Sequence, residues 1–301
     1  MNNDYEYNRG ILKMFSIFSE ATASLPFSYD TDNPKIKIVI DRYGLRYVAG
    51  DGDQFCRVTN IMSWLRDKVS YNGMTKVHPD YDSWSLLEYA FGKPENGLNC
   101  RMLATLLVEL LLGLGMKSRI VSLHSITPYD ADNHVVTLIW HDELRKWIFV
   151  DPSFTAYFLS DNGVLMNPLD LRNAMADGKR FQCFYGVPFG GIEEGAEERF
   201  LSYMSKNLFC MHSPLKTTFG SEYAIDNEQR WVYVSPIGFD YKNRERLSIS
   251  WRCTTQPEIK QMKHRGDMKK IMNHYKQRVT EGVSIYTSSM NAFFCVPSQE
   301  E

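Results

Sequence analysis

The segment that most constrains this fold is NGLNCRMLATLLVELLLGLGMKSRIVSL, which begins at Asn96. Over residues 98–112 the apolar side chains fall on nearly every side of a helix rather than along one stripe. A helix of this kind is buried, so other layers of structure must cover it. Gly113 and Gly115 supply stop signals for the helix, and residues 118–123 then have the pattern of a strand. The segment predicts a central buried helix that leads into a sheet.

A hairpin follows this strand. After the polar loop SITPYDADN, residues 134–140 and 146–150 are strand candidates, joined by the charged turn HDEL. In antiparallel pairing the start of one strand lies beside the end of the next. We therefore expect His134, which opens the first strand, to be a neighbour of Asp151, which ends the second.

The remaining elements are predicted from shorter patterns. Apolar spacing and turn residues indicate two short strands within residues 35–48 with a turn at 41–44, a helix at 58–69 begun by Asp53 or Thr59, a helix at 83–91, a turn at 161–163, a helix at 193–208, strands at 231–235 and 247–252, and a helix at 258–280.

The fold class predicted is α+β, with the buried helix packed on an antiparallel sheet. We divide the chain into an N-terminal segment (1–54), a core (55–160) and an α+β extension (161–301) that forms one compact unit with the core.

The charge balance excludes several classes of partner. Lys and Arg total 34 against 36 for Asp and Glu, so no basic excess is present to bind nucleic acid or a membrane surface. The N-terminus lacks a cationic start followed by an apolar stretch, and no run of 18 apolar residues occurs. We expect a cytoplasmic protein. The sequence leaves the oligomeric state open.

The cysteines do not follow a disulfide or zinc pattern. Six are scattered along the chain without any CxxC pair, at positions 56, 100, 183, 210, 253 and 295. We expect most of them to be reduced and buried. The irregular spacing of His124, His141, Asp130 and Asp132 favours solvated loop residues over a metal site. No metal and no cofactor are predicted.

Cys100 differs from the other cysteines because it starts the buried helix. The helix macrodipole and the unpaired backbone N–H groups there favour a thiolate, which is the nucleophilic form of the side chain. The same N–H groups can receive an oxyanion. His134 can act as the base for this thiol, and Asp151 can hold one ring nitrogen while the other faces the sulfur.

Three segments carry a resemblance to a known family: GLNCRMLATLLVELLLGLGMKSRIV, DNHVVTLIW and KWIFVDPSF. Together they resemble the core of the transglutaminase-like superfamily, of the bacterial cysteine hydrolase type with a papain-like fold. In that family a Cys at a helix start, a His opening the next sheet segment and an Asp before Pro form a catalytic triad. The resemblance assigns these roles to Cys100, His134 and Asp151, and structural roles to Arg119 and Trp147.

The chain also departs from the family pattern. Arg101 follows the cysteine where relatives have an aromatic residue, and Val135 and Val136 follow the histidine where relatives have Ala-Trp. The sequence also lacks the calcium-loop spacing of the animal cross-linking enzymes and the CxxC pairs of the cytosolic peptide N-glycanases. Candidates for oxyanion-hole donors are the amide of Cys100 and the side chains of Gln54, Trp64, Trp84 and Asn99.

The resemblance implies acyl transfer from a peptide or side-chain amide of a peptide or protein substrate, through a Cys100 thioester. If water releases the thioester, the enzyme is a peptidase, deamidase or other amidase, and if an amine does, it is a transglutaminase. We favour hydrolysis because no feature of the sequence indicates a second site that would bind an amine. A different alternative is a non-catalytic peptide-binding or scaffold module that kept the fold.

Overall fold

The structure is a computed structural model, and it describes residues 3–22, 24–75, 79–93, 95–130, 132–221, 230–255 and 284–297. The described helices are α1 (Asn3–Met14), α2 (Pro34–Arg42), α3 (Leu45–Ala49), α4 (Gln54–Lys68), α5 (Ser83–Gly92), α6 (Cys100–Gly113), α7 (Pro168–Asp177), α8 (Ala196–Asn207), α9 (Tyr241–Thr255) and α10 (Met290–Phe293). The described strands are β1 (Ser28–Tyr29), β2 (Ser70–Tyr71), β3 (Gly97–Leu98), β4 (Ser118–His124), β5 (His134–His141), β6 (Lys146–Asp151), β7 (Ala156–Ser160), β8 (Phe181–Phe184), β9 (Cys210–Pro214), β10 (Lys216–Thr217), β11 (Trp231–Val234) and β12 (Ser284–Thr287).

One mixed sheet organises the described part of the chain. Its strand order is β12-β11-β9-β4-β5-β6-β7-β8, with β11 and β12 parallel and the other neighbours antiparallel. Strands β8, β9, β11 and β12 come from the region after residue 160, and β9 pairs directly with β4. The extension therefore continues the sheet of the core. The protein has the α+β fold predicted from the sequence.

The buried helix α6 packs on the central strands β4 and β5. Every residue from Met102 to Gly113 is buried, which confirms the prediction from its apolar pattern. Helix α2 packs on the other side of α6 at a close approach. A Cβ atom at Gly113 would lie 2.5 Å from the Cγ2 atom of Ile36, so the glycine permits this contact. The cysteine at the start of α6 is thus carried by an element that other layers hold in place.

The two short strands predicted within residues 35–48 are wrong, because this segment forms α2 and α3. Its alternating Lys and Ile residues suggested a strand, yet Ile36, Val39 and Ile40 are spaced for one helix face and are fully buried. Ile38 points away from that face and is 57% exposed. The helix also has a clear start, since the side chain of Asn33 accepts a hydrogen bond from the Lys35 amide.

The strand predicted at residues 247–252 is also wrong, because these residues belong to α9. The side chain of Asp240 accepts a hydrogen bond from the Asn243 amide at the beginning of this helix. The helix predicted at 258–280 lies outside the described residues. Other predicted elements are confirmed, including α4, for which Asp53 is the N-cap, and α5, α8 and β11.

Two expectations about polar and thiol side chains need correction. Among the described cysteines, only Cys210 is buried, whereas Cys56 is exposed and the other three are half-buried. His124 and His141 are buried on strands β4 and β5 rather than solvated in loops. In the described ranges we find no group of three or more His, Cys, Asp or Glu side chains that could hold a metal ion. The helices in these ranges are too short or too polar to cross a membrane.

Candidate active site

Cys100 is the first residue of α6, and the chain before it is fixed by local contacts. The side chain of Asn99 caps the helix by accepting a hydrogen bond from the Met102 amide at 3.0 Å. Just before the cap, β3 pairs in parallel with β2, so that Tyr71 lies opposite Leu98. A Cβ atom at residue 97 would come within 2.5 Å of the Asn72 Cβ atom, so this pairing requires glycine there. The thiol is therefore presented at a fixed helix N-terminus.

His134 and Asp151 meet on the β5–β6 hairpin, as its predicted pairing implies. The register pairs Thr137 with Val150, and extending it by one residue places Asp151 opposite Val136 and diagonal to His134. The Nε2 atom of His134 lies 2.6 Å from the Oδ2 atom of Asp151, and both side chains are fully buried. The other carboxylate oxygen of Asp151 accepts the Ser153 amide at 2.9 Å. The carboxylate is thus aimed at the ring by the turn that follows it.

The charge state of the His134 ring follows from its surroundings. Burial lowers its pKa, but the charge of Asp151, the hydrogen bond to Asp151 and the neighbouring Cys100 thiol together raise the pKa to about 10. The ring is therefore an imidazolium at neutral pH. Its Nδ1 atom makes no hydrogen bond within the described chain, and since Asp151 occupies Nε2, Nδ1 is the nitrogen left to face the sulfur. Such a ring can share a proton with a thiolate.

Two tyrosines that the sequence did not single out also surround the thiol. Burial raises the pKa of both Tyr71 and Tyr203, and the nearby Cys100 sulfur raises it further. The Tyr203 ring packs edge-on against the His134 ring, with centroids 5.2 Å apart. Tyr71 lies before the Cys100 motif in sequence and Tyr203 lies in the extension. Nothing in the motif spacing pointed to either residue.

Helix α8 of the extension also holds the loop that leads into His134. The Tyr203 hydroxyl shares its one proton between the Oδ1 atom of Asp132, at 3.1 Å, and the Asn133 carbonyl, at 3.4 Å. Lys206 forms ion pairs with Asp130 at 3.0 Å and with Asp132 at 3.2 Å. The extension thus contributes to the position of the predicted base.

Gln54, one of the oxyanion-hole candidates, lies at the turn end of the β5–β6 hairpin. Its Nε2 atom donates to the Trp140 carbonyl at 2.8 Å, and its Oε1 atom accepts the Asp142 amide at 2.9 Å. His134 is at the opposite end of the same eight-residue strand. The nitrogen and the oxygen of the Gln54 side-chain amide are therefore both hydrogen-bonded at the turn, far from the Cys100 thiol.

The other candidates divide into two groups. Trp64 packs against the rings of Tyr43 and Phe91, and Trp84 packs under a guanidinium group, so both belong to the α2–α5 side of the core. The amide of Cys100 and the side chain of Asn99 lie at the start of α6, where the Asn99 oxygen accepts the Met102 amide. These two candidates are the ones at the same helix N-terminus as the thiol.

Arg119 and Trp147 form a buried structural cluster. The Arg119 guanidinium lies 3.7 Å from the centroid of the Phe27 ring and 4.7 Å from that of Trp147, and it donates to the Phe293 carbonyl. The Trp147 indole N–H donates to the Cys295 carbonyl at 2.9 Å. These contacts attach the end of the described chain to the central sheet.

Comparisons with known proteins give the following findings. The family model described as the transglutaminase-like superfamily matches residues 41–152, a range that contains Cys100, His134 and Asp151. Among solved structures, the chain is similar to the crystal structure of "a Putative Cysteine Protease from Cytophaga hutchinsonii", with 14% identity and a TM-score of 0.32. That similarity covers 54% of this chain and 56% of the other chain, so it spans little more than half of either. No curated protein matches the chain.

Proposed function

We propose that this chain, whose residues 41–152 match the family model of the transglutaminase-like superfamily, is a cysteine hydrolase that cleaves peptide or side-chain amides. One observation carries the proposal: the buried His134–Asp151 pair, joined at 2.6 Å, lies close enough to the Cys100 thiol at the start of α6 for the thiol to raise the His134 pKa. This arrangement combines a nucleophile, a base and a group that orients the base.

In the first half of the proposed reaction, Cys100, paired with the His134 imidazolium, attacks the amide carbonyl carbon as a thiolate. The negative charge that develops on the carbonyl oxygen is stabilised by the backbone amide of Cys100, which is free at the first turn of α6. The His134 imidazolium then protonates the amide nitrogen. The C–N bond breaks, the amine leaves, and the acyl group stays on sulfur as a thioester.

In the second half, a water molecule attacks the thioester while neutral His134 accepts its proton. The C–S bond breaks, the carboxylic acid is released, and the proton stays on His134, which again pairs with the Cys100 thiolate. Throughout both halves Asp151 holds the Nε2–H of the ring, so that Nδ1 stays directed at the reacting atoms. An amine in place of water would give transamidation by the same steps. Water is the proposed acceptor because nothing in the described site indicates a separate amine-binding position.

The scaffold alternative is favoured by Arg101, which stands where relatives have an aromatic residue, and by the oxyanion-hole side chain that the sequence leaves unassigned. The Nη2 atom of Arg101 donates to the Ser122 hydroxyl of β4 at 3.1 Å. Its guanidinium group is thus directed toward the sheet, which favours a site that a substrate can reach.

The proposal is tested with a complex peptide digest incubated in water enriched in heavy oxygen, with and without a small primary amine. A peptidase yields new C-termini that carry heavy oxygen, and a side-chain amidase yields labelled Glu or Asp from Gln or Asn. A transferase yields adducts of the amine. Each product should disappear in Cys100→Ser and persist in the matched variant Cys56→Ser, which changes an exposed cysteine.

The expected result is a heavy-oxygen product that depends on Cys100, with amine adducts in the minority. If amine adducts predominate, the proposed activity is transfer to an amine rather than hydrolysis. Folded protein that gives none of these products in a Cys100-dependent way would favour the scaffold alternative.

A further inference from the structure

A cavity of about 550 Å³ lies beside the triad, between the core and the extension. From the core, Leu65, Tyr71 and Leu103 line it, and from the extension Val187 and Phe189 do. Protein cavities of roughly 300–1,000 Å³ lined mainly by apolar and aromatic side chains are typical ligand sites. This volume is larger than a single side chain, so the cavity can hold a side chain of a peptide together with part of the peptide backbone.

The cavity is next to the reacting atoms. Leu103 lies one helical turn after Cys100 on α6, so that both side chains project from the same face. Pro152 and Ser153, which directly follow Asp151, also line the cavity. Tyr203 lines it as well, and the ring of this residue touches His134. One substrate molecule can therefore place a side chain in the cavity and an amide carbonyl at the Cys100 thiol.

The wall that the extension contributes, at Val187 and Phe189, is attached to the turn that follows Asp151. The backbone amides of Gly186 and Val187 both donate to the Phe154 carbonyl, at 3.0 and 3.1 Å. The Phe189 ring packs against the rings of Phe154 and Tyr203, with centroids 5.1 and 5.0 Å apart. These contacts mean that the cavity is formed before a ligand arrives, so that binding does not have to order its wall.

The wall also depends on local backbone geometry. Thr155, which lines the cavity, has a φ of 51°, a left-handed conformation that non-glycine residues rarely adopt. A Cβ atom at Gly186 would lie 3.1 Å from the Thr155 Cβ atom and 3.0 Å from the Nη1 atom of Arg66. The glycine thus allows the extension to approach the turn closely.

The charges around the cavity are already paired. Among the described lining residues, Arg66 and Asp132 are the charged ones. Arg66 pairs with Asp67 at 3.0 Å, and Asp132 pairs with Lys206 at 3.2 Å. An acidic or basic group entering the cavity would lose its hydration without gaining a free counter-charge, which is unfavourable. An uncharged apolar group meets no such cost.

We propose that this cavity binds an uncharged aromatic or large aliphatic side chain of the amide substrate, and that the extension thereby sets the specificity of the core. The inference rests on the proposed function, since it concerns the substrate of the same site. It assigns to residues 187–203 a role in substrate selection, with Phe189 as the main wall residue.

The test compares the rates at which chloromethyl ketones alkylate Cys100. N-acetyl phenylalanine, alanine and aspartate chloromethyl ketones are used, with iodoacetamide as a reagent that carries no side chain. In each ketone reaction the sulfur attacks the methylene carbon, a C–S bond forms, and chloride leaves. The phenylalanine reagent should react roughly tenfold or more faster than the alanine reagent, because burial of a phenyl group is favourable. The aspartate reagent should be the slowest.

Two variants examine the wall. Phe189→Ala removes an aromatic face and Val187→Glu adds a charge, so both should reduce the ratio between the phenylalanine and alanine rates. Ile192→Glu is the matched control, since Ile192 is 64% exposed and does not line the cavity. This control should keep the ratio of the unsubstituted protein.

The outcomes separate the two proposals. If iodoacetamide selects Cys100 but the three ketones react equally, or the aspartate reagent is fastest, the specificity inference is overturned and the proposed function stands. A ratio that survives in both wall variants also overturns the inference. If iodoacetamide does not select Cys100, the proposed function fails and the inference fails with it.

Discussion

The Nε2 atom of His134 donates to the Oδ2 atom of Asp151 across a diagonal of the β5–β6 hairpin, at 2.6 Å in a fully buried setting. The hydrogen bond from the Ser153 amide fixes the second carboxylate oxygen, so Asp151 has little freedom to turn. One ring nitrogen is thereby held, and the other is left for Cys100. The contact explains both the orientation of the ring and its raised pKa.

Asp151→Asn is expected to lower kcat/KM for any Cys100-dependent product by roughly a thousandfold or more, because the amide favours the wrong tautomer of His134. Asp161→Asn is the matched control, since Asp161 is exposed in a turn. Circular dichroism verifies folding of both variants. Retention of full turnover by folded Asp151→Asn would remove this carboxylate from the mechanism.

The raised pKa of His134 predicts how the pair contributes to stability as pH changes. The folded-state pKa, about 10, exceeds the ordinary value of 6.5, so the contribution is complete below 6.5 and is lost as pH rises toward 10. The difference in unfolding free energy between the unsubstituted protein and His134→Gln should therefore shrink across this alkaline window. Urea titrations at several pH values measure it. A difference that stays constant or grows with pH would contradict the assignment.

Tyr203→Phe tests whether α8 positions the loop before His134. The substitution removes the hydrogen bonds to Asp132 and Asn133 but keeps the ring that packs on His134. A single hydrogen bond contributes about 1 kcal/mol, so we expect kcat to fall severalfold and amide exchange of residues 132–134 to accelerate. Tyr47→Phe, at an exposed position, is the control. Unchanged exchange in the loop would show that the hydroxyl has no positioning role.

The sequence predicted those elements whose pattern is local and strong. Helix α6 is apolar on all sides, and the hairpin after it has a clear turn, so their burial and pairing could be inferred. The strand prediction for residues 35–48 is wrong because alternating Lys and Ile residues satisfy a strand period, while Ile36, Val39 and Ile40 also satisfy a helical one. The N-cap Asn33 and the first-turn Pro34 are typical of a helix start and distinguish the two.

The parts of the site that depend on long-range contacts could not be predicted. Tyr203 approaches His134 because β9 pairs with β4 and brings α8 to the start of β5, a pairing that leaves no trace in local spacing. Similarly, Gln54 was a candidate oxyanion donor by residue type alone. Its amide instead holds the hairpin turn at Trp140, which only the tertiary structure reveals.

The other cysteines provide an internal reference for the reactivity of Cys100. Burial raises the pKa of Cys183 and of Cys210 to about 12. Cys56 is exposed, yet the hydrogen bond that its thiol donates to Asp53 raises its pKa as well. These three thiols should therefore react slowly at neutral pH, whatever their accessibility.

The central claim is tested most directly by alkylation with iodoacetamide at neutral pH, followed by mass spectrometry of the peptides. Cys100 should react first among the cysteines, because it lies at a helix N-terminus beside the His134 imidazolium. In folded His134→Gln the rate at Cys100 should fall, but only in part, since the helix N-terminus is still present. Another cysteine reacting first, or an identical Cys100 rate with and without His134, would contradict the proposed nucleophile and base.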